Sequence, residues 1–170
     1  MIDTATTTSP SRTSWLSDTG KMDKLIGRIA SIAAQTDEES TFPETAFNWL
    51  AEAELLSITL PGQDLDNQVP VTDRLLSLLK RIGTGNLAVG RIYEGHISAL
   101  NLIDLYGSPD QKQGWYDDAK KYDRLFSVWN TQAGDGVQIH AIGKGRYRME
   151  GSKTFCSGAG WIHRPLVTGE

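Results

Sequence analysis

The apolar positions of this chain change their period once. From Met22 to about Ala119 they recur at three- and four-residue spacings, and after Leu125 they alternate. Met22, Leu25, Ile26, Ile29, Ile32 and Ala33 share one face of a first helix. A second is predicted from Thr41-Phe42-Pro43-Glu44, where the Thr41 hydroxyl can cap an early N–H and Glu44 can reach back; Phe47, Leu50, Ala51 and Leu55 form its apolar face. Pro61-Gly62 and the polar residues around it make Ser57 to Asn67 a loop. Leu75, Leu78, Leu79 and Ile82 mark a third helix that stops near Gly83. A long fourth carries Val89, Ile92, Tyr93, His96, Leu100 and Ile103 on one stripe and ends at Gly107, where a left-handed cap is expected of a residue without Cβ. Ser108-Pro109-Asp110-Gln111 supplies an N-cap, a first-turn Pro and a capping-box Gln for a fifth.

Leu125 to Thr131 reads as a buried strand, and Val137, Ile139 and Ala141 alternate as a second. After a Gly143-Lys144-Gly145 turn, Tyr147 and Met149 alternate with Arg146 and Arg148, whose charges suit a solvated strand face. Gly151 should then turn the chain into Gly151 to Ala159, an extended segment that sets the Phe155 ring and the Ser157 hydroxyl two residues apart. The fold class is therefore mainly α: a helical bundle over 19–123, followed over 124–170 by the first antiparallel strands of a β-domain. Trp115 and Trp129 are expected in buried packing where the two parts meet.

Composition removes several classes of function. With 39% hydrophobic and 22% charged residues the 170-residue chain has the make-up of a soluble globular protein, and its net charge of −4 offers no general attraction to a phosphate backbone, so nucleic acid is not an expected partner. No apolar run reaches the roughly 20 residues that span a bilayer. One cysteine, Cys156, forms no internal disulfide. Met1 to Ser14 is rich in Ser and Thr with no apolar centre, so residues 1–18 read as a disordered leader rather than a signal peptide, and the expected location is cytoplasmic.

The reactive residue types have plain readings. His96 lies on an apolar stripe and suits a satisfied core or interface histidine. His140 and His163 lack a second ligand at metal spacing, so no metal is expected. Cys156 has no identifiable His or Asn partner and reads as a small buried hydrophobe. Asp117, Asp118, Lys120 and Lys121 form a solvated helix end, and Gly143-Lys144-Gly145 lacks the spacing of a phosphate loop. Phe155, Cys156 and Ser157 alone could be core and edge positions of a strand.

Three motifs in order change that balance. Leu105-Tyr-Gly-Ser-Pro-Asp-Gln-Lys-Gln113, Phe126-Ser-Val-Trp-Asn-Thr131 and Gly151-Ser-Lys-Thr-Phe-Cys-Ser-Gly-Ala159 follow one another as in acyl-CoA dehydrogenases, and the chain resembles their helical N-terminal domain plus the opening of their middle β-domain. The resemblance implies an oxidoreductase of fatty acid metabolism, a flavoprotein that carries FAD. It removes the α-proton of an acyl thioester with a glutamate and passes the β-hydride to flavin N5. That glutamate lies in the C-terminal region of family members, so no catalytic residue is expected within this chain, which by itself should be inactive. Residue by residue, Phe155 takes the place of the aromatic against the flavin ring, and Ser157 that of the hydroxyl residue near N5, with Cys156 between them. Such a ring offers flat contact, and such a donor steadies charge arriving on reduction. Val128, Trp129, Asn130 and Thr131 fall on the strand and turn lining the other side of the flavin.

The chain also departs from the pattern. Trp129-Asn130-Thr131 replaces Thr-Glu-Pro, Gly134-Asp135-Gly136 replaces Gly-Ser-Asp, and Pro61-Gly62-Gln63-Asp64 stands where a Gly-Gly pair is usual. The replaced Ser helps to hold CoA in the family, so Asp135 is the candidate substrate contact, one that a phosphate-bearing substrate would find repulsive. The implied partners are acyl-CoA or a related small molecule, an electron acceptor and further copies in a homo-oligomer. Two alternatives stand beside dehydrogenation: a flavin-dependent monooxygenase of the same fold, and a non-catalytic helical interaction module.

Overall fold

Asp18 starts the first helix, its carboxylate accepting the Lys21 N–H at 3.0 Å. The computed structural model describes residues 15–67 and 70–170, the side chains of Glu39, Ala133 and Asp135 excepted; residues 1–14 of the leader expected over 1–18 lie outside the described residues. Trp15 and Leu16 pack against the core. Helix α1 spans Thr19–Ser31 and buries Met22, Leu25 and Ile29. The single first helix expected from periodicity is two: Ile32 departs from helical geometry (φ −104°, ψ 0°), and α2 follows at Ala33–Glu39. Helix α3 spans Glu44–Glu52, yet Thr41 does not cap it. Pro43 occupies the N-cap position without a side-chain hydrogen bond, which leaves Thr41 two residues outside. Helices α4 (Thr72–Gly85), α5 (Leu87–Tyr106) and α6 (Pro109–Lys121) complete the helical part. The side chain of Asn86 accepts from Val89 N at the start of α5, and the Ser108/Gln111 capping box at the start of α6 is formed as expected.

Gly107 corrects one expectation. Its backbone is extended (φ −68°, ψ 144°) rather than left-handed. Glycine is needed there for approach: a Cβ would lie 2.7 Å from the Ile103 carbonyl oxygen.

The segment read as a loop, Ser57 to Asn67, is irregular but largely internal. Leu55, Leu56, Ser57, Ile58, Thr59, Leu60 and Leu65 are all buried. Buried backbone needs partners, and α5 supplies two. The Tyr93 hydroxyl donates to the Leu55 carbonyl at 2.8 Å, and His96 Nε2 lies 2.7 Å from the Leu56 carbonyl. Leu65 N–H and Asn67 N–H close the segment onto Ile58 and Thr59, both at 3.0 Å. A polar tip on an otherwise apolar stripe thus holds an irregular chain against a helix.

Beyond α6 come β1 (Phe126–Trp129), β2 (Gln132–Ala141), β3 (Tyr147–Lys153) and β4 (Arg164–Val167). β2 and β3 form the expected antiparallel pair, with Ile139 opposite Met149 and Ala141 opposite Tyr147. β1 pairs with β4 in parallel, Phe126 opposite Arg164 through Trp129 opposite Val167. Sequence reading missed β4, four residues long and carrying Pro165, because neither its length nor its composition marks a strand. The fold is a mainly helical domain with the beginning of a β-domain. One apolar cluster joins α1, α3, α4 and α5. A second gathers Leu60, Ala99, Leu100, Ile103, Ala119 and Phe126, with Trp115, Val128 and Leu166 packed against it.

Candidate functional site

Two histidines hold the entrance to β1. His96, fully buried on α5, accepts the Phe126 N–H on Nδ1 at 3.1 Å, so its Nε2 carries the proton and donates to Leu56. Burial pushes its pKa down to about 4, against a smaller upward effect of the Leu56 hydrogen bond. One residue earlier, His163 Nδ1 accepts the Leu125 N–H at 3.1 Å. Its pKa is also lowered, by burial first and then by the Arg124 and Arg164 guanidinium groups. Gly95 lets α5 approach the strand: a Cβ there would stand 3.1 Å from Ser127 Oγ. Position and register of β1 therefore come from side chains far away in sequence.

From β1 the chain reaches the residues read as functional. Val128 turns its side chain into the helical core, against the cluster around Leu100 and Phe126. Trp129 is half-buried, and its indole Nε1 is buried with no acceptor among the described residues. Asn130 and Thr131 are exposed. The side chain of Asp135 lies outside those described.

The Gly151 motif meets this segment directly. Thr154 N–H donates to the Thr131 carbonyl at 3.3 Å, and Lys153 Nζ to Gln132 Oε1 at 2.8 Å. The first strand's end and the motif are thus neighbours. The motif is not extended, however. β3 runs through Gly151 to Lys153, Phe155 takes a left-handed conformation (φ 55°), and the Ser157 N–H folds back to the Phe155 carbonyl at 2.9 Å. A residue with a Cβ in that region is strained unless its surroundings fix it. Here the following turn is anchored: Trp161 stacks on Phe42 with centroids 4.8 Å apart and 6° between planes, and Ile162 packs on the helical core. The tight turn leaves Phe155 83% exposed. Cys156 and Ser157 are half-buried, so Cys156 is a partly covered free thiol rather than a core hydrophobe.

These residues offer an uncovered ring face at Phe155 and a half-buried hydroxyl at Ser157, while the Trp129 indole N–H is shielded from solvent. This set includes no group able to take a proton from carbon. Sequence reading did not single out Phe42 or Trp161, which anchor the turn, nor the role of His163. Only the Phe42-Pro43 start of α3 could have suggested the first. Among the described residues there is no metal-binding cluster, and no helix is long and apolar enough to cross a membrane.

The family described as acyl-CoA dehydrogenase, N-terminal domain, matches residues 25–120. No curated protein sequence matches. Among solved structures, FMN-bound TdsC from Paenibacillus sp. A11-2 superposes with a TM-score of 0.77 at 19% identity, over 87% of this chain and 38% of that one. Methanesulfinate monooxygenase MsuC from Pseudomonas fluorescens gives a TM-score of 0.71 at 19% identity, over 87% and 38%. A nitrososynthase from Micromonospora carbonacea var. africana gives 0.72 at 21%, over 87% and 40%. The chain spans 38–40% of the length of these proteins, and the likeness is one of fold.

Proposed function

The chain belongs to the acyl-CoA dehydrogenase N-terminal domain family, and from that premise we propose that it builds one wall of a flavin site in a flavin-dependent oxidoreductase. The observation that carries the reading is Phe155: a large ring 83% exposed, held by an anchored turn, one hydrogen bond away from the Trp129 to Thr131 segment. A large ring exposed on a fixed backbone offers a flat face on which a planar ligand can stack.

The residues fit a flavin. The ring of Phe155 would lie against it, and the Ser157 hydroxyl would donate to its reducible edge. Asn130 and Thr131 supply further polar contacts from the strand end, while Val128 fixes that strand to the core. When bound, flavin supplies a two-electron acceptor or, once reduced, a means of activating oxygen. The chain's own part is to hold the ring, exclude water from one side and steady incoming charge.

Of the two reactions the fold family suggests, oxygenation of a small molecule is favoured here over dehydrogenation of acyl-CoA. The segment at 134–136 departs from the family's Gly-Ser-Asp, whose Ser helps to hold CoA. The likeness to TdsC, a dibenzothiophene monooxygenase, and to methanesulfinate monooxygenase MsuC also supports oxygenation. TdsC was solved with FMN, so FMN stands beside FAD as the expected cofactor. The test is titration of FMN and FAD into the whole protein, followed by oxygen uptake with a reduced-flavin supply. Flavin binding weakened by Phe155→Ala is expected; absence of flavin binding would leave the interaction-module reading. Reduction by an acyl-CoA series with no need for oxygen would favour dehydrogenation.

A further inference from the structure

Strand β3 has one paired edge and one bare edge. The Ile142 N–H donates to the Arg146 carbonyl at 3.0 Å just before the strand, and antiparallel pairing alternates from there, so Arg148 and Glu150 turn their backbone groups towards His140 and Gln138. Tyr147 and Met149 turn theirs away from β2. The other side of β2 has the same phase: Ile139, opposite Met149, donates its N–H outward to the Glu170 carbonyl, and the Val137 carbonyl accepts from Glu170 at 2.9 Å. Among the described residues, no strand pairs with the outer edge of β3. Its side chains form two unlike faces. Tyr147 and Met149, 65% and 52% exposed, lie on one beside Ala141 and Ile139. Arg148 and Glu150 lie on the other, 3.2 Å apart, with Glu150 also 3.3 Å from His140 Nε2.

We propose that this edge is an interface between two copies of the chain, β3 pairing antiparallel with β3 of the second copy about a two-fold axis at Met149. Unpaired N–H and C=O groups along a strand are a template for another strand, and no proline blocks this one. Charge then selects the register. Centred on Met149, the pairing uses the outward backbone groups and sets each Arg148 directly opposite Glu150 of the other copy. Centred one residue earlier it would oppose Arg148 to Arg148, and one residue later Glu150 to Glu150. Opposite charges across a ladder stabilise and like charges destabilise, so only the Met149 register is self-complementary. The Arg148 and Glu150 contact within one strand joins half-exposed groups and does not compete strongly with this exchange. Two ribbons, each marginal alone, become one four-stranded sheet in which the exposed Met149 side chains of the two copies meet. Nothing in this pairing depends on bound flavin.

Sedimentation equilibrium of the 170-residue chain from micromolar to millimolar concentration tests it. A reversible monomer and dimer are expected, with dimerisation weakened roughly tenfold or more in Glu150→Arg and recovered in the double exchange Arg148→Glu with Glu150→Arg. The register has its own readout. In a Cys156→Ser background, Met149→Cys should form a disulfide-linked dimer on mild oxidation, since Cα atoms of such a pair lie about 5.5 Å apart. Tyr147→Cys, offset from its twin by about 13 Å along the strand, should not. A chain that stays monomeric at millimolar concentration, a dimer indifferent to Glu150→Arg, or failure of the double exchange to restore it would overturn the proposal. So would crosslinking through Tyr147→Cys in preference to Met149→Cys.

Discussion

His96 Nδ1 accepts the backbone N–H of Phe126 at 3.1 Å, and through this contact the long helix fixes the first strand. The imidazole is neutral, because burial holds its pKa near 4 where an unfolded chain would titrate near 6.5. Between those values only the unfolded state takes up the proton. Stability from this group is therefore complete above about pH 6.5 and falls as pH drops towards 4, by up to about 3 kcal/mol. Urea midpoints at pH 7 and pH 4.5 should diverge less in His96→Gln than in wild type. Equal losses in the two would show that the pH dependence arises elsewhere. His96→Ala, which leaves the Phe126 N–H and Leu56 carbonyl unpaired in the core, should cost about 2–4 kcal/mol at pH 7.

Two glycines should respond in opposite directions. A Cβ at Gly107 would meet the Ile103 carbonyl at 2.7 Å, so Gly107→Ala is expected to destabilise by about 1–3 kcal/mol. Gly114 is exposed within α6 and nothing lies within 4 Å of its would-be Cβ; Gly114→Ala should stabilise by up to about 1 kcal/mol through helix propensity. Thermal melts of the two variants decide the matter.

Hydrogen exchange should divide the chain. The amides of α4 and α5 sit over the main core, whereas β3 is exposed along almost its entire length and, among the described residues, pairs with β2 alone. A two-stranded ribbon is marginal by itself, so Leu75 to Ile103 should be protected more strongly than Val137 to Ser157. Uniform protection would contradict this.

Ser157→Ala in the whole protein should slow flavin reduction at least about tenfold while leaving the fold unchanged, since a donor to developing charge matters most in the transition state. Stopped-flow absorbance reads the rate, and wild-type kinetics would remove Ser157 from the proposed role. The 170-residue chain alone should show no turnover with flavin, acyl-CoA and an artificial acceptor above the free-flavin background.

Local rules determined most of the helical part. The apolar stripes of α1, α3, α4 and α5, the capping box at Ser108 and the hairpin around Lys144 could all be read from neighbours within a few residues, because helix faces, caps and tight turns are local physics. The order of three motifs also pointed to the family. What the tertiary structure alone decided depends on residues that meet across long separations. The His96 and His163 rings secure the adjacent Phe126 and Leu125 amides at the start of β1 from opposite directions along the chain, and β4 finds β1 in parallel across the whole hairpin. Phe155 was expected on an extended strand and stands instead at a left-handed turn, because Trp161 stacking on Phe42 anchors the chain that follows. A stretch of sequence specifies its own periodicity, but the partners that bend it, bury it or leave its ring uncovered lie elsewhere in the chain, and only their packing sets that outcome.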